Sequence, residues 1–110
     1  MVTEDWDAEL QQNQTAYTVA TLQKEHGIAE GAHITLDLTF VPVEGANPGT
    51  FEKVLKTFGY TATRGEDGEI SVEVPDIPFT FESVWTHEER TTTMALSRGY
   101  RPDGWGFWEP

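Results

Sequence analysis

Residues 33–41 read HITLDLTFV, and no other stretch constrains the fold of this chain as tightly. Ile34, Leu36, Leu38 and Phe40 fall on one side of an extended backbone, and Thr35, Asp37 and Thr39 fall on the other. Successive side chains of a strand point to opposite faces, so a strand of this kind sits in a sheet with one packed face and one open face. The same alternation returns in EISVEV, where Ile70, Val72 and Val74 share a side. The chain therefore needs helices to cover a single face of its sheet.

The remaining segments supply them. TEDWDAELQQNQTAYTVATLQKEHG predicts a helix with Thr3 as N-cap, with Glu4, Asp5 and Asp7 near the positive end of its dipole and with Gly27 as stop. Trp6, Leu10, Tyr17 and Ala20 form a broken apolar stripe along it, which predicts a half-exposed helix docked onto the remainder. In ANPGTFEKVLKTFGY, Asn47 caps, Pro48 takes the first helical position and Gly59 terminates. Phe51, Val54, Leu55 and Phe58 make the core face of that helix. GEDG between YTATR and EISVEV reads as a hairpin. After a proline-punctuated connection, VPDIP, a third helix buries Phe81, Val84, Trp85 and Ala95 and ends at Gly99. PDG then reads as a turn, and GWGFW as a short final strand with Trp105 and Phe107 on one side.

The order is helix, then β-α-β-β-α-β. That is the split-βαβ, ferredoxin-like pattern: an α+β sandwich with the two longer strands central, the helices on one face and an extra N-terminal helix. The chain of 110 residues (1–110) is read as one domain. Trp105 and Phe107 together bury roughly 300–500 Å², enough to hold a terminal strand in the sheet. Gly104, Gly106 and Trp108 lie on the opposite side. Glycines there mark either a bulge or a slot closed by the first helix, or an aromatic-floored groove for a partner.

Composition narrows the function classes. Nineteen acidic against seven basic residues give a formal net charge of −12, which repels nucleic acid and anionic bilayers and attracts basic protein surfaces. The expected open sheet face offers Thr35, Asp37, Thr39, Ser71 and Glu73, with no stacking rings for RNA. Lys53, Lys56, Arg98 and Arg101 form no continuous basic stripe. There is no apolar run of membrane-spanning length, the first ten residues lack a signal-peptide pattern, and cysteine is absent, so a cytoplasmic location is expected. The three histidines, His26, His33 and His87, are scattered, and no metalloprotease, EF-hand, P-loop, Rossmann or nucleophile-elbow motif is present. In His87-Glu88-Glu89 adjacent helical residues diverge, so they make a poor chelate. No catalytic residue, metal site or cofactor is expected.

Several of these stretches together resemble the regulator of ribonuclease activity B family, the ribonuclease E inhibitor B proteins. The family's Gln/Glu-rich first helix with its acidic-Gly stop is matched by LQQNQTAYTVATLQKEHG, and its following strand by LDLTF. Its helix ending in Phe-x-x-Gly-Tyr has its counterpart in KTFGYTA. Its closing Tyr-Asp-Gly-Trp-Gly is matched by YRPDGWGFWE, with two residues between Tyr100 and Asp103. The resemblance implies a ferredoxin-like sandwich with an extra first helix, and a non-catalytic regulator that binds ribonuclease E, especially its basic scaffold region, to modulate RNA turnover. A family member acting on a different protein partner, or a small enzyme or metal-binding domain built on an acidic/His site, are the other readings. For a protein partner, the expected anchor is the C-terminal patch Asp103, Gly104, Trp105, Gly106 and Trp108, with Asp37 and Glu73 supplying electrostatic steering. Trp85 is a second candidate, although its helical spacing marks it as core.

Overall fold

The computed structural model describes residues 7–28 and 32–108. The expected roles of Thr3, Glu4, Asp5 and Trp6 lie outside these residues. Within them the elements follow in the order α1 (Ala8–Glu25), β1 (His33–Pro42), α2 (Pro48–Thr57), β2 (Thr61–Arg64), β3 (Ile70–Pro78), α3 (Phe81–Leu96) and β4 (Tyr100–Trp108). The four strands form one sheet in the order β2-β3-β1-β4, every neighbouring pair antiparallel. This is the ferredoxin-like α+β arrangement with a helix added at its N-terminal side. No helix among the described residues is long and apolar enough to cross a membrane.

Local signals explain the helix ends. Asp7, Asn47 and Thr80 each accept a hydrogen bond from the backbone N–H three residues on, at 3.1, 3.3 and 3.2 Å, which satisfies one orphan donor at each start. Pro48 opens α2, and the helices stop shortly before Gly27, Gly59 and Gly99, all at positive φ. At Gly99 a side chain is doubly disfavoured, by its φ of +79° and by the Ala46 backbone against its α-carbon. That close approach lets Val43 N–H bond Gly99 O at 2.8 Å and Asn47 N–H bond Arg98 O at 2.9 Å. The loop before α2 is thus fastened to the turn after α3.

The core forms beneath the apolar row of β1. Ile34, Leu36, Leu38 and Phe40 are all buried, as are Ile70, Val72 and Val74 on β3. Phe51 of α2 meets Phe40 edge-on at 5.4 Å between ring centroids and Tyr100 of β4 at 5.1 Å. The Tyr100 hydroxyl leaves the core to donate to Gly68 O at 2.7 Å, joining β4 to the β2–β3 hairpin. Phe79 packs on Phe107 at 4.8 Å.

The structure corrects five of the sequence readings. VPDIP is not a connection. It continues β3, with one extra residue opposite β1 and Asp76 at a φ of +59°. PDG is not a turn either: β4 runs unbroken from Tyr100, and Pro102 and Trp105 face Phe40 and Leu38 across a bulge that puts Gly104 at a φ of +111°. In α1 the inward residues are Thr15 and Val19, while Leu10 and Tyr17 are 54% and 75% exposed. Phe58 caps α2 and is 52% exposed, because the helix ends one residue before it. Phe81 opens α3 half-buried, and its neighbour Phe79 takes the core position.

These placements separate two phenylalanines that share a sequence stripe. Phe51→Ala is expected to cost about 3–5 kcal/mol through lost burial and a residual cavity. Phe58→Ala is expected to stay within about 0.5 kcal/mol of the parent. Urea unfolding of the two variants checks both values.

Candidate functional site

The open face of the sheet is built by register. Asp37 of β1 lies directly between Glu73 of β3 and Gly106 of β4, and Thr61 of β2 lies beyond Glu73 in the same row. Trp108 is opposite Thr35 in the next row and is 51% exposed. Four of the expected binding residues, Asp37, Glu73, Gly106 and Trp108, therefore meet on one surface. Asp103 and Gly104 sit at the bulge beside it, both exposed. Trp105 does not join them: it stands opposite Leu38 on the packed side, half-buried against the core. Trp85 is buried as well.

The row has a distinctive electrostatic character. Directly opposed residues of an antiparallel pair hold their β-carbons about 4.5–5.5 Å apart, and like charges at that spacing repel. Asp37 and Glu73 make such a pair, and partial burial pushes the Asp37 carboxyl above the usual aspartate range. Gly106 adds no side chain on the other flank, and the space above it is open. Arg101, opposite Val41, places its charge two rows away.

The histidines do not converge. His26 caps α1, His33 pairs with Asp76 at 2.5 Å on the surface, and His87 turns inward. His87 Nδ1 lies 2.9 Å from the Tyr60 hydroxyl, to which Arg90 Nη1 also donates at 3.3 Å. Burial, and then the Arg90 charge, pull the His87 imidazole below its ordinary range. Among the described residues no group of three or more His, Asp or Glu side chains is placed to hold a metal ion.

The helical side holds a feature that the sequence reading passed over. A partly open cavity of about 140 Å³ lies between α1, α3 and the β1–β4 pair. Leu38, Phe40 and Trp105 give it apolar walls, and Gln11, Glu88 and Thr92 give it a polar side. Glu88 is only 4% exposed and accepts from Thr15 Oγ1 at 2.6 Å, with Gln11 as a second hydrogen-bonding partner. Thr91 and Thr93 donate their hydroxyls to helix carbonyls at 2.8 and 2.9 Å. Thr92 Oγ1, fully buried between them in sequence, has no partner. One signal pointed here: extending the stripe of Val84 and Trp85 by one turn brings Glu88 to the buried face of α3.

No family model matches the chain, and no curated protein matches it at a significant level.

Burial pushes the Glu88 carboxyl above its ordinary value, against the opposing effect of its bonds to Thr15 and Gln11. The folded state therefore holds this proton more tightly than the unfolded chain does. The resulting stabilisation is complete below the unfolded value of about 4.5 and is lost as pH rises through the raised folded value. Glu88→Gln keeps the shape and removes the titration. Its melting temperature should match the parent near the acidic end of a pH series, exceed it increasingly as pH rises through the raised folded value, and keep a constant advantage above that.

Proposed function

We propose that this protein is a non-catalytic binding module that docks an arginine-rich segment of a protein partner on the open face of its sheet. Following the sequence resemblance, the partner is ribonuclease E or its basic scaffold region, and occupancy of that region modulates RNA turnover in the cytoplasm. The observation that carries this reading is the Asp37–Glu73 pair: two acids in register at the centre of the sheet's polar face, with no described helix packed over them. Such a pair weakens the isolated fold, and a guanidinium laid across it would relieve the repulsion while forming charge-assisted hydrogen bonds.

The surroundings suit an arginine-bearing strand or loop. Gly106 leaves the floor beside Asp37 clear, so a backbone can come close. Trp108 offers a half-exposed indole on the same surface for cation–π contact. The net charge of −12 draws a basic segment in and raises the association rate more than the final affinity. The same charge disfavours nucleic acid, so RNA turnover would be reached through the ribonuclease.

Titration with an arginine-rich peptide from the ribonuclease E scaffold tests the proposal. Asp37→Asn combined with Glu73→Gln should slow association about tenfold at low salt, with the difference shrinking as the Debye length falls below roughly 8 Å. The same double variant should be more stable than the parent by a few tenths of a kcal/mol, because the opposed charges are gone. Trp108→Ala should speed dissociation and leave the melt unchanged. Equal binding of an unrelated arginine-rich peptide would point to a different protein partner. Binding indifferent to all three substitutions would remove the open face from consideration.

A further inference from the structure

The cavity on the helical side presents a chemical problem that the docking surface does not address. Among the described residues that line it, Glu88 is the one titratable side chain and none is cationic. A carboxylate out of water without a counter-charge is costly, and burial holds the Glu88 carboxyl above its ordinary range despite its bonds to Thr15 and Gln11. Thr92 Oγ1, one turn along α3, is likewise buried and unpartnered at the same wall. Buried polar groups in native proteins are nearly always satisfied, so an unpartnered Thr92 hydroxyl beside a buried carboxyl that has hydrogen bonds but no counter-charge among the described lining residues calls for an occupant.

The chemistry of the lining selects the occupant. The Glu88 carboxylate, the Thr92 hydroxyl oxygen and the Gln11 amide oxygen can all act as acceptors. An anion is refused by the carboxylate and by the overall charge. A neutral alcohol offers one O–H, too few for three acceptors. A primary ammonium offers three N–H donors and the missing positive charge, and the apolar walls of Leu38, Phe40 and Trp105 suit a cation with an apolar body. In size, a cavity of about 150 Å³ accommodates a benzene-sized guest, which sets the limit for this one.

We propose that this cavity is a binding site for a small primary ammonium ion with an apolar body of about four or five carbon atoms. The ammonium pairs with Glu88, takes a hydrogen bond to Thr92 and lays its hydrocarbon against Leu38, Phe40 and Trp105. When Glu88 is protonated in the empty site, binding releases that proton, so affinity rises with pH until the carboxyl is ionised without help. The site lies on the opposite side of the sheet from the docking face, and neither proposal depends on the other.

The test uses n-butylammonium chloride, with 1-butanol and sodium butyrate as shape-matched controls, followed by calorimetric titration and by the thermal melt. Butylammonium should bind and raise the melting temperature, more tightly at about pH 8 than at about pH 5. 1-Butanol should bind at least about tenfold more weakly, and butyrate not at all. Glu88→Gln, whose amide retains the shape and the acceptor for Thr15, should lose about tenfold in affinity and all of the pH dependence. Thr92→Val should weaken binding several-fold and leave the pH dependence in place. Equal affinity for butylammonium and butanol, full binding by folded Glu88→Gln, or no binding of butylammonium at either pH overturns the proposal. Full binding by Glu88→Gln would mean that the amine is collected by the acidic surface.

Discussion

β1 is hydrogen-bonded along both edges, to β3 on one side and β4 on the other, and it is buried on only one of its faces. Everything else is arranged around that asymmetry. The row from Ile34 to Phe40 demands a covering layer, which α2 and α3 provide. Both flanking strands must present matching apolar residues in register, since a slip of one residue would exchange the two faces of a strand. The bulges in β3 and β4 absorb extra residues without disturbing that register, and they place Asp76 and Gly104 at positive φ. The same constraint turns the polar row, Thr35, Asp37 and Thr39, away from the described helices. The docking face is thus the other side of the element that organises the core.

The first helix is attached by different means. α1 contributes Val19 and Leu22 to the core, but its contact with α3 is also polar, through Gln11 and Thr15 to Glu88. Short polar side chains at that junction do not fill the space that leucines would fill, and a cavity remains beside them. A buried carboxyl is an expensive way to join two helices. Its hydrogen bonds offset part of the desolvation cost, and an apolar replacement of similar shape is often neutral or stabilising. That balance sets this junction apart from the apolar packing of α2, where Phe51 and Leu55 are fully buried.

Two surfaces of different character therefore share the same pair of strands. Trp105 and Gly106 are consecutive in β4; one walls the cavity and the other clears the open face. Leu38 and Asp37 divide in the same way on β1. The open face is broad and negatively charged, suited to a macromolecular segment that brings its own charge. The cavity is small and partly open, suited to a guest that satisfies three acceptors at once.

The one-sided strands, the Asn47 cap, the glycine stops and the β-α-β-β-α-β order were legible in the sequence, because each rests on local chemistry: side-chain alternation, an N-cap oxygen or a positive φ. The sequence also separated Trp105 and Phe107 from Gly106 and Trp108, since period-two alternation alone assigns them to opposite faces. Tertiary structure decided the rest. Whether PDG turns a corner or bulges within a strand depends on the β1 backbone beside it, and Asp37 faces Glu73 only through a register that spans about a third of the chain. The inward face of α1 could not be read from hydrophobicity, because Thr15 is buried by a partner on α3, distant in sequence. Phe58 and Phe51 share a helical stripe, yet the neighbouring layer covers only one of them. Periodicity assigns a residue to a face, but only packing determines what, if anything, lies against that face.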